Sequence, residues 1–127
     1  MEEMVLTGPV LIFDKPSINN FMIPKTCKIE FSQKLPVVWN YHFNNPEDVL
    51  GFTDTLEVLK DRIVATVTVT NDFFKQLMKE EKRMLCCGYY VGVKSKVNKN
   101  GLKIIQEAKL YGLSVYLAGD EFIYLEL

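Results

Sequence analysis

The chain has 127 residues, of which 48% are hydrophobic and 24% are charged, and its 15 basic and 16 acidic residues give a formal net charge of −1. This composition is typical of one soluble globular domain, here residues 1–127, and excludes a disordered chain. Because no long basic run is present, the composition also argues against a nucleic-acid-binding protein.

The cysteines and the first residues indicate the compartment. The chain has three cysteines, and Cys86 and Cys87 are adjacent. Neighbouring cysteines rarely form a disulfide, so we expect free thiols in a reducing compartment. The opening Met-Glu-Glu-Met lacks the basic and apolar regions of a signal peptide, and the apolar runs are too short to span a bilayer. We therefore expect a soluble protein made in the cytoplasm, without membrane contact.

The first half of the chain predicts strands separated by turns. A short strand is expected over Val10–Phe13, followed by irregular structure over residues 14–35, where proline and asparagine recur. Residues 37–43 (VVWNYHF) are β-branched and aromatic and predict a strand that includes His42. Residues 49–59 and 63–70 predict a hairpin, since the second segment alternates with period two.

The second half predicts one helix and further strands. The helix begins after Thr70 or Asn71, and Phe73, Phe74, Leu77 and Met78 share its apolar face. A strand over residues 84–94, a hairpin turn at Asn100-Gly101, and late strands over 113–117 and 122–127 complete the pattern. About seven strands with one or two helices predict an α+β domain built on a mainly antiparallel sheet or barrel.

Cys86, Cys87 and the only histidine, His42, are the candidate reactive residues. Adjacent residues of a regular strand point to opposite faces, so one cysteine should face the core and the other can face a cleft. A nucleophilic thiol needs a nearby histidine, and a histidine titrates in the range of a general base. Cysteines are often simply buried, so core filling and a structural histidine remain the alternative.

No metal, cofactor or small-molecule site is predicted. The cysteines lack the C-x2-C spacing of zinc sites. Asp48 and the other carboxylates near turns are expected on the surface, and Ser114 is expected as a hydrogen-bonded core serine. The aromatic residues, including Trp39 and Tyr89-Tyr90, are interpreted as core or interface, because no basic residues interleave with them.

Taken in order, these segments resemble the prohead (capsid maturation) proteases of tailed bacteriophages, whose fold is related to that of the herpesvirus assemblins. Leu85-Cys86-Cys87-Gly88-Tyr89 stands where the family has Leu-Ser-x-Gly-Phe, and Leu110-Tyr111-Gly112-Leu113-Ser114 where it has Leu-x-Glu-x-Ser. The other matching segments are Gly8–Phe13, Asn20–Pro24, Pro36–His42 with its Trp-Asn-Tyr-His end, Val49–Gly51, Ile63–Val69 and the helix over 73–82. The resemblance covers nearly the whole chain and implies a prohead-protease-like fold.

The resemblance also implies a Ser-His-acid site. By position, Cys86 would be the nucleophile, His42 the base, and Gly112 would occupy the place of the acid. A cysteine can replace the serine, but a glycine cannot orient an imidazole. His42 stands one residue late because Tyr41 intervenes, and a one-residue slip turns a side chain to the other face unless a bulge restores it.

Two functions follow as hypotheses. The first is a virion protein, made in the host cytoplasm, that keeps the fold as an inactive structural module bound to major capsid or scaffold protein. The second is an active maturation peptidase with a Cys86–His42 dyad. A host-encoded binding domain of prophage origin is a weaker third. For the apolar end, residues 122–127, the alternatives are pairing with a neighbouring copy in a homo-oligomer, or a last strand in its own sheet.

Overall fold

The computed structural model of the protein describes residues 3–116 and 120–127. In chain order the elements are β1 (Met4–Ile12), β2 (Phe21–Met22), β3 (Lys28–Glu30), β4 (Pro36–Trp39), a 3₁₀ turn (Pro46–Asp48), β5 (Val49–Val58), β6 (Arg62–Val69), α1 (Asp72–Glu81), β7 (Arg83–Val97), β8 (Lys103–Tyr116) and β9 (Tyr124–Glu126).

Seven of the strands close into a barrel. The order around it is β8, β4, β5, β6, β1, β9 and β7, and β7 pairs again with β8. The short strands β2 and β3 lie outside the barrel and pair with the first half of β8. The protein is therefore mainly β, with a mixed seven-stranded barrel, two outer strands and one short helix.

The β-rich barrel with one helix confirms the coarse prediction, and six of its nine strand pairings are antiparallel as predicted. The α+β class is corrected to mainly β, and the sheet is mixed because three pairings are parallel. All three strands β2, β3 and β4 run parallel to β8. Parallel neighbours are joined by long crossovers, and the hydrophobic period of a strand carries no information about the direction of its partner. The sequence pattern therefore predicts strands but not that β2, β3 and β4 run parallel to β8.

Several element boundaries also differ from the predicted ones. β1 begins at Met4, so Gly8 and Pro9 lie within it and do not precede it. The irregular segment 14–35 contains β2 and β3. The predicted strand over 113–117 is the end of the continuous strand β8, and Leu117 lies outside the described residues. The turn at Asn100-Gly101 is confirmed, and Gly101 has a φ of 80° there.

Helix α1 begins where the sequence predicts, but the apolar face that it buries against the barrel is narrower than the predicted one. The Asn71 side chain accepts a hydrogen bond from the Phe74 amide at 2.9 Å and caps the helix. Phe74 and Met78 are buried against the barrel, whereas Phe73 is 78% exposed. The predicted four-residue apolar face is thus wrong for Phe73, which lies one 100° step away from the buried stripe.

The core fills the barrel, and the last strand completes it. Leu6, Ile63, Val67 and Leu113 are fully buried inside it. β9 lies between β1 and β7, and Leu125 is fully buried. The C-terminal strand thus pairs within its own barrel, which resolves the alternative of pairing with a neighbouring chain. Among the described residues, no helix has the length and apolar character to cross a bilayer.

Candidate functional site

Cys86 lies inside the barrel. It is opposite Val115 in the antiparallel ladder of β7 and β8, and its side chain is 1% exposed. Burial, and secondarily the neighbouring Cys87, raises the pKa of the Cys86 thiol well above its ordinary value. Because the thiolate is the reactive form, this environment disfavours a nucleophilic role for Cys86.

His42 lies on the surface, beyond the end of β4. The strand stops at Trp39, and Asn40 and Tyr41 both have left-handed backbone conformations, with φ of 48° and 63°. The predicted strand through residue 43 is therefore too long. The two left-handed residues turn the chain, so the strand alternation no longer fixes where His42 points.

The imidazole of His42 pairs with a carboxylate that the sequence did not single out. His42 Nδ1 lies 2.8 Å from Asp48 Oδ2, and the two side chains are 50% and 28% exposed. Asp48 ends the 3₁₀ turn six residues after the histidine, in the loop that follows β4. This acid orients the ring in the way that a triad acid does, although it comes from a loop and not from the position of Gly112.

Gly112 is required by packing. A Cβ at this position would overlap Phe43 Cε1 and would lie 3.0 Å from the Pro36 carbonyl oxygen. The Phe43 ring therefore occupies the space that an acidic side chain would need. The absence of an acid here follows from the close approach of the segment after β4 to the outer face of β8.

The structure places Cys86 in the core, His42 on the surface and Gly112 against the Phe43 ring. Within the described residues, no hydrogen bond joins His42 to any cysteine: the histidine is bonded to Asp48, and Cys86 lies among apolar core residues. The Cys86 amide donates to the Ile123 carbonyl oxygen at 3.2 Å, which ties this part of β7 to the segment before β9. The Cys86 side chain thus contributes to the packing of the core.

Cys87, and not Cys86, is the cysteine that faces a cleft. As the strand alternation predicts, it points to the outer face of the barrel, opposite Ser114. The Cys87 thiol and the Tyr41 hydroxyl share a hydrogen bond, and the Tyr41 amide donates to Ser114 Oγ at 2.9 Å. Ser114 is thus hydrogen-bonded and buried, as predicted. Cys87 lines an open cavity of about 260 Å³.

Two tyrosine hydroxyls surround the Cys87 thiol. Burial raises the pKa of both Tyr41 and Tyr116, and the neighbouring Cys87 raises it further. Both phenols therefore remain protonated as hydrogen-bond donors at neutral pH. The cleft also has Lys15 and Asp120 in its lining, and among the described residues the side-chain hydrogen bond of the Cys87 thiol is to Tyr41 and not to a histidine or carboxylate.

An aromatic cluster continues from this cleft across the outer face. Its rings contact one another at centroid distances between 4.9 and 6.2 Å and belong to Tyr41, Phe43, Tyr89, Tyr111 and Tyr116. Tyr41, Tyr89 and Tyr111 are between 38% and 48% exposed. The sequence predicted that Tyr89 lies in the core or at an interface, and the structure places it on the surface.

In the described part of the chain, no group of three or more histidine, cysteine or carboxylate side chains that could hold a metal ion comes together. Comparison of the chain with protein-family models, with curated proteins and with solved structures finds no match.

Proposed function

We propose that this chain is a capsid-associated protein of a tailed bacteriophage that uses a prohead-protease-like fold as a structural module, without catalysis. The proposal is supported by the order of the sequence segments that resemble the prohead proteases. It is also supported by the environment of Cys86, His42 and Gly112, the three positions that the resemblance assigns to an active site, because the cysteine is buried and the acid position is a glycine. Its partner is the major capsid or scaffold protein, and its location is the virion.

The observation that carries the proposal is the burial of Cys86. A thiol that is 1% exposed offers no path for a peptide carbonyl to approach its sulfur. Its raised pKa leaves it protonated at neutral pH. Although Asp48 orients the His42 ring, an oriented base gives no catalysis when the nucleophile is neither ionised nor accessible.

The aromatic cluster supports a binding role. Tyrosine is enriched at the centres of protein interfaces, because its ring buries a large area and its hydroxyl still finds a polar partner. Three half-exposed tyrosines, Tyr41, Tyr89 and Tyr111, form such a surface here. In this proposal the cluster contacts the capsid or scaffold protein.

The test is the content of purified particles. A structural module remains in the mature virion at a fixed ratio to the capsid protein, and the double variant Tyr89→Ser/Tyr111→Ser is incorporated less. The matched control, Phe31→Ser/Phe52→Ser, alters two aromatics outside the cluster and retains incorporation once its folding is verified. Mature particles that contain no copy of this chain would refute the proposal.

One observation favours the alternative of a maturation peptidase with a Cys86–His42 dyad. The His42–Asp48 pair, at 2.8 Å, supplies an oriented imidazole. A peptidase would need β7 to move so that Cys86 reaches this ring. Co-expression with capsid or scaffold protein would then give a cleavage product that disappears in Cys86→Ala and in His42→Ala, while Cys87→Ala retains it.

A further inference from the structure

The charges of this nearly neutral chain are separated along its length. Between Lys34 and Lys60 the sequence has four acidic residues and no lysine or arginine, and between Glu81 and Glu107 it has six basic residues and no acidic one. The acidic segment includes β4, the 3₁₀ turn and the whole of β5, and the basic segment includes β7 and the turn into β8. A net charge of −1 therefore conceals one acidic and one basic segment of the chain.

The acidic segment borders an apolar groove between α1 and the end of β4. The groove has a volume of about 330 Å³, and its apolar floor includes Trp39, Leu50 and Leu77. Phe73 stands at its side and is 78% exposed. Glu47 and Asp48 form its rim, and no lysine or arginine is among the described residues that line it.

The basic segment forms a hairpin that projects from the barrel. Beyond residue 88 the edge of β7 that faces away from β8 has no paired strand among the described elements. Val97 is 66% exposed and lies directly opposite Lys103, so their side chains share one face of the hairpin. Lys99 lies in the adjoining turn and is exposed. We call the surface formed by Val97, Lys99 and Lys103 the hairpin face.

The groove and the hairpin face lie at opposite ends of the same strand. Trp39 pairs with Val115 near the end of β8, and Lys103 begins that strand. The 12 steps between residues 103 and 115, at about 3.3 Å each, correspond to about 40 Å of strand. The hairpin of one molecule therefore cannot reach its own groove.

We propose that a second copy of this chain occupies the groove, with the hairpin face of one molecule docked between Trp39 and Phe73 of the next. Val97 enters the apolar floor, and Lys99 and Lys103 approach Glu47 and Asp48 on the rim. Charge complementarity selects this occupant, because the chain itself carries the apolar and basic surface that the groove fits. Two different surfaces meet in this contact, so it is head-to-tail and generates rings or filaments.

The test is self-association of the full chain by sedimentation velocity, from about 1 µM to about 1 mM, a range that covers weak interfaces. We expect concentration-dependent oligomers larger than a dimer. Raising the NaCl concentration from about 0.05 M to about 0.5 M should weaken them, because salt screens exposed charges. A chain that is monomeric over the whole range refutes the proposal.

Charge reversal identifies the surfaces. Lys99→Glu/Lys103→Glu and Glu47→Lys/Asp48→Lys should each weaken association at least about tenfold. A mixture of the two variants should form a complex, and the chain that carries all four changes should associate like the unmodified one. The controls Lys28→Glu/Lys60→Glu and Glu30→Lys/Glu57→Lys change the net charge equally at exposed positions away from both surfaces and should leave association unchanged.

Phe73→Ser tests the groove without altering any charge, so its result does not depend on how the charge-reversal variants fold. Phe73 is largely exposed, so its removal should preserve the far-ultraviolet circular dichroism spectrum and still weaken association at least about tenfold. Association that withstands Phe73→Ser, or that both control pairs weaken as strongly as the groove and hairpin variants, contradicts the docking. So does a hairpin that binds duplex DNA while the chain stays monomeric.

Discussion

Replacement of Gly112 by alanine should destabilise the protein, and the removal of the Phe43 ring should relieve the effect. A Cβ on residue 112 would overlap Phe43 Cε1 and approach the Pro36 carbonyl oxygen to 3.0 Å. Overpacking of this kind costs about 1–3 kcal/mol, whereas Gly→Ala at a compatible backbone returns about 0.4–1 kcal/mol by restricting the unfolded chain. Gly112 is not among the residues with positive φ, so alanine can adopt its backbone conformation.

The net result for Gly112→Ala is a loss of about 0.5–2 kcal/mol in the free energy of unfolding, or roughly 2–8 °C in Tm. In the Phe43→Ala background the overlap with the ring is gone and only the approach to the Pro36 carbonyl oxygen remains, so Gly112→Ala should cost about 1 kcal/mol less there. The double-mutant cycle should therefore show a coupling of about 1 kcal/mol between residues 43 and 112.

Urea unfolding measures all four proteins of the cycle. Trp39 is the only tryptophan, is partly buried and lies on β4, so its fluorescence reports on the opening of the barrel. Equal losses for Gly112→Ala with and without the Phe43 ring would refute the packing argument. So would an alanine variant that is more stable than the unmodified protein, because position 112 would then have room for the acid of an active site.

Three further predictions concern the cysteines and the helix. Cys87 should react with a thiol probe in the folded protein at least about tenfold faster than the buried Cys27 and Cys86, and equal rates would contradict the assigned burial. Burial raises the pKa of Cys86 above its ordinary 9.0, so above that pH the unfolded chain releases a proton that the folded chain keeps. The free energy of unfolding should then fall by up to about 1.4 kcal/mol per pH unit for this thiol, and Cys86→Ala should flatten the fall, whereas an unchanged slope would count against it. Asn71→Ala removes the cap on the Phe74 amide and should lower the free energy of unfolding by about 1 kcal/mol, with Asn71→Asp as the control that retains the cap.

Local sequence patterns predicted the individual strands and the helix better than they predicted which strands pair. The alternation of residues 63–70, the Asn71 cap and the Asn100-Gly101 turn each depend on neighbours in sequence, and all three predicted elements are present. The parallel pairing of β4 with β8 joins Val37 to Leu113 across most of the chain, and no local period encodes it.

In the candidate site, too, local features could be predicted from the sequence and long-range register could not. The opposite facing of Cys86 and Cys87 follows from strand alternation, and the structure confirms it. Which cysteine faces the core depends on the register with β8, which the sequence does not specify. The His42–Asp48 pair had a local signal, since only a short loop with Pro46 separates the two residues, yet carboxylates near turns are so common on surfaces that the pair did not stand out.

The intact mass of capsid and scaffold proteins co-expressed with this chain distinguishes a structural module from a peptidase. A structural module leaves these masses unchanged, identical with the unmodified chain and with Cys86→Ala, and the chain sediments together with assembled shells. A truncated product that forms with the unmodified chain and is absent with Cys86→Ala would contradict a structural module.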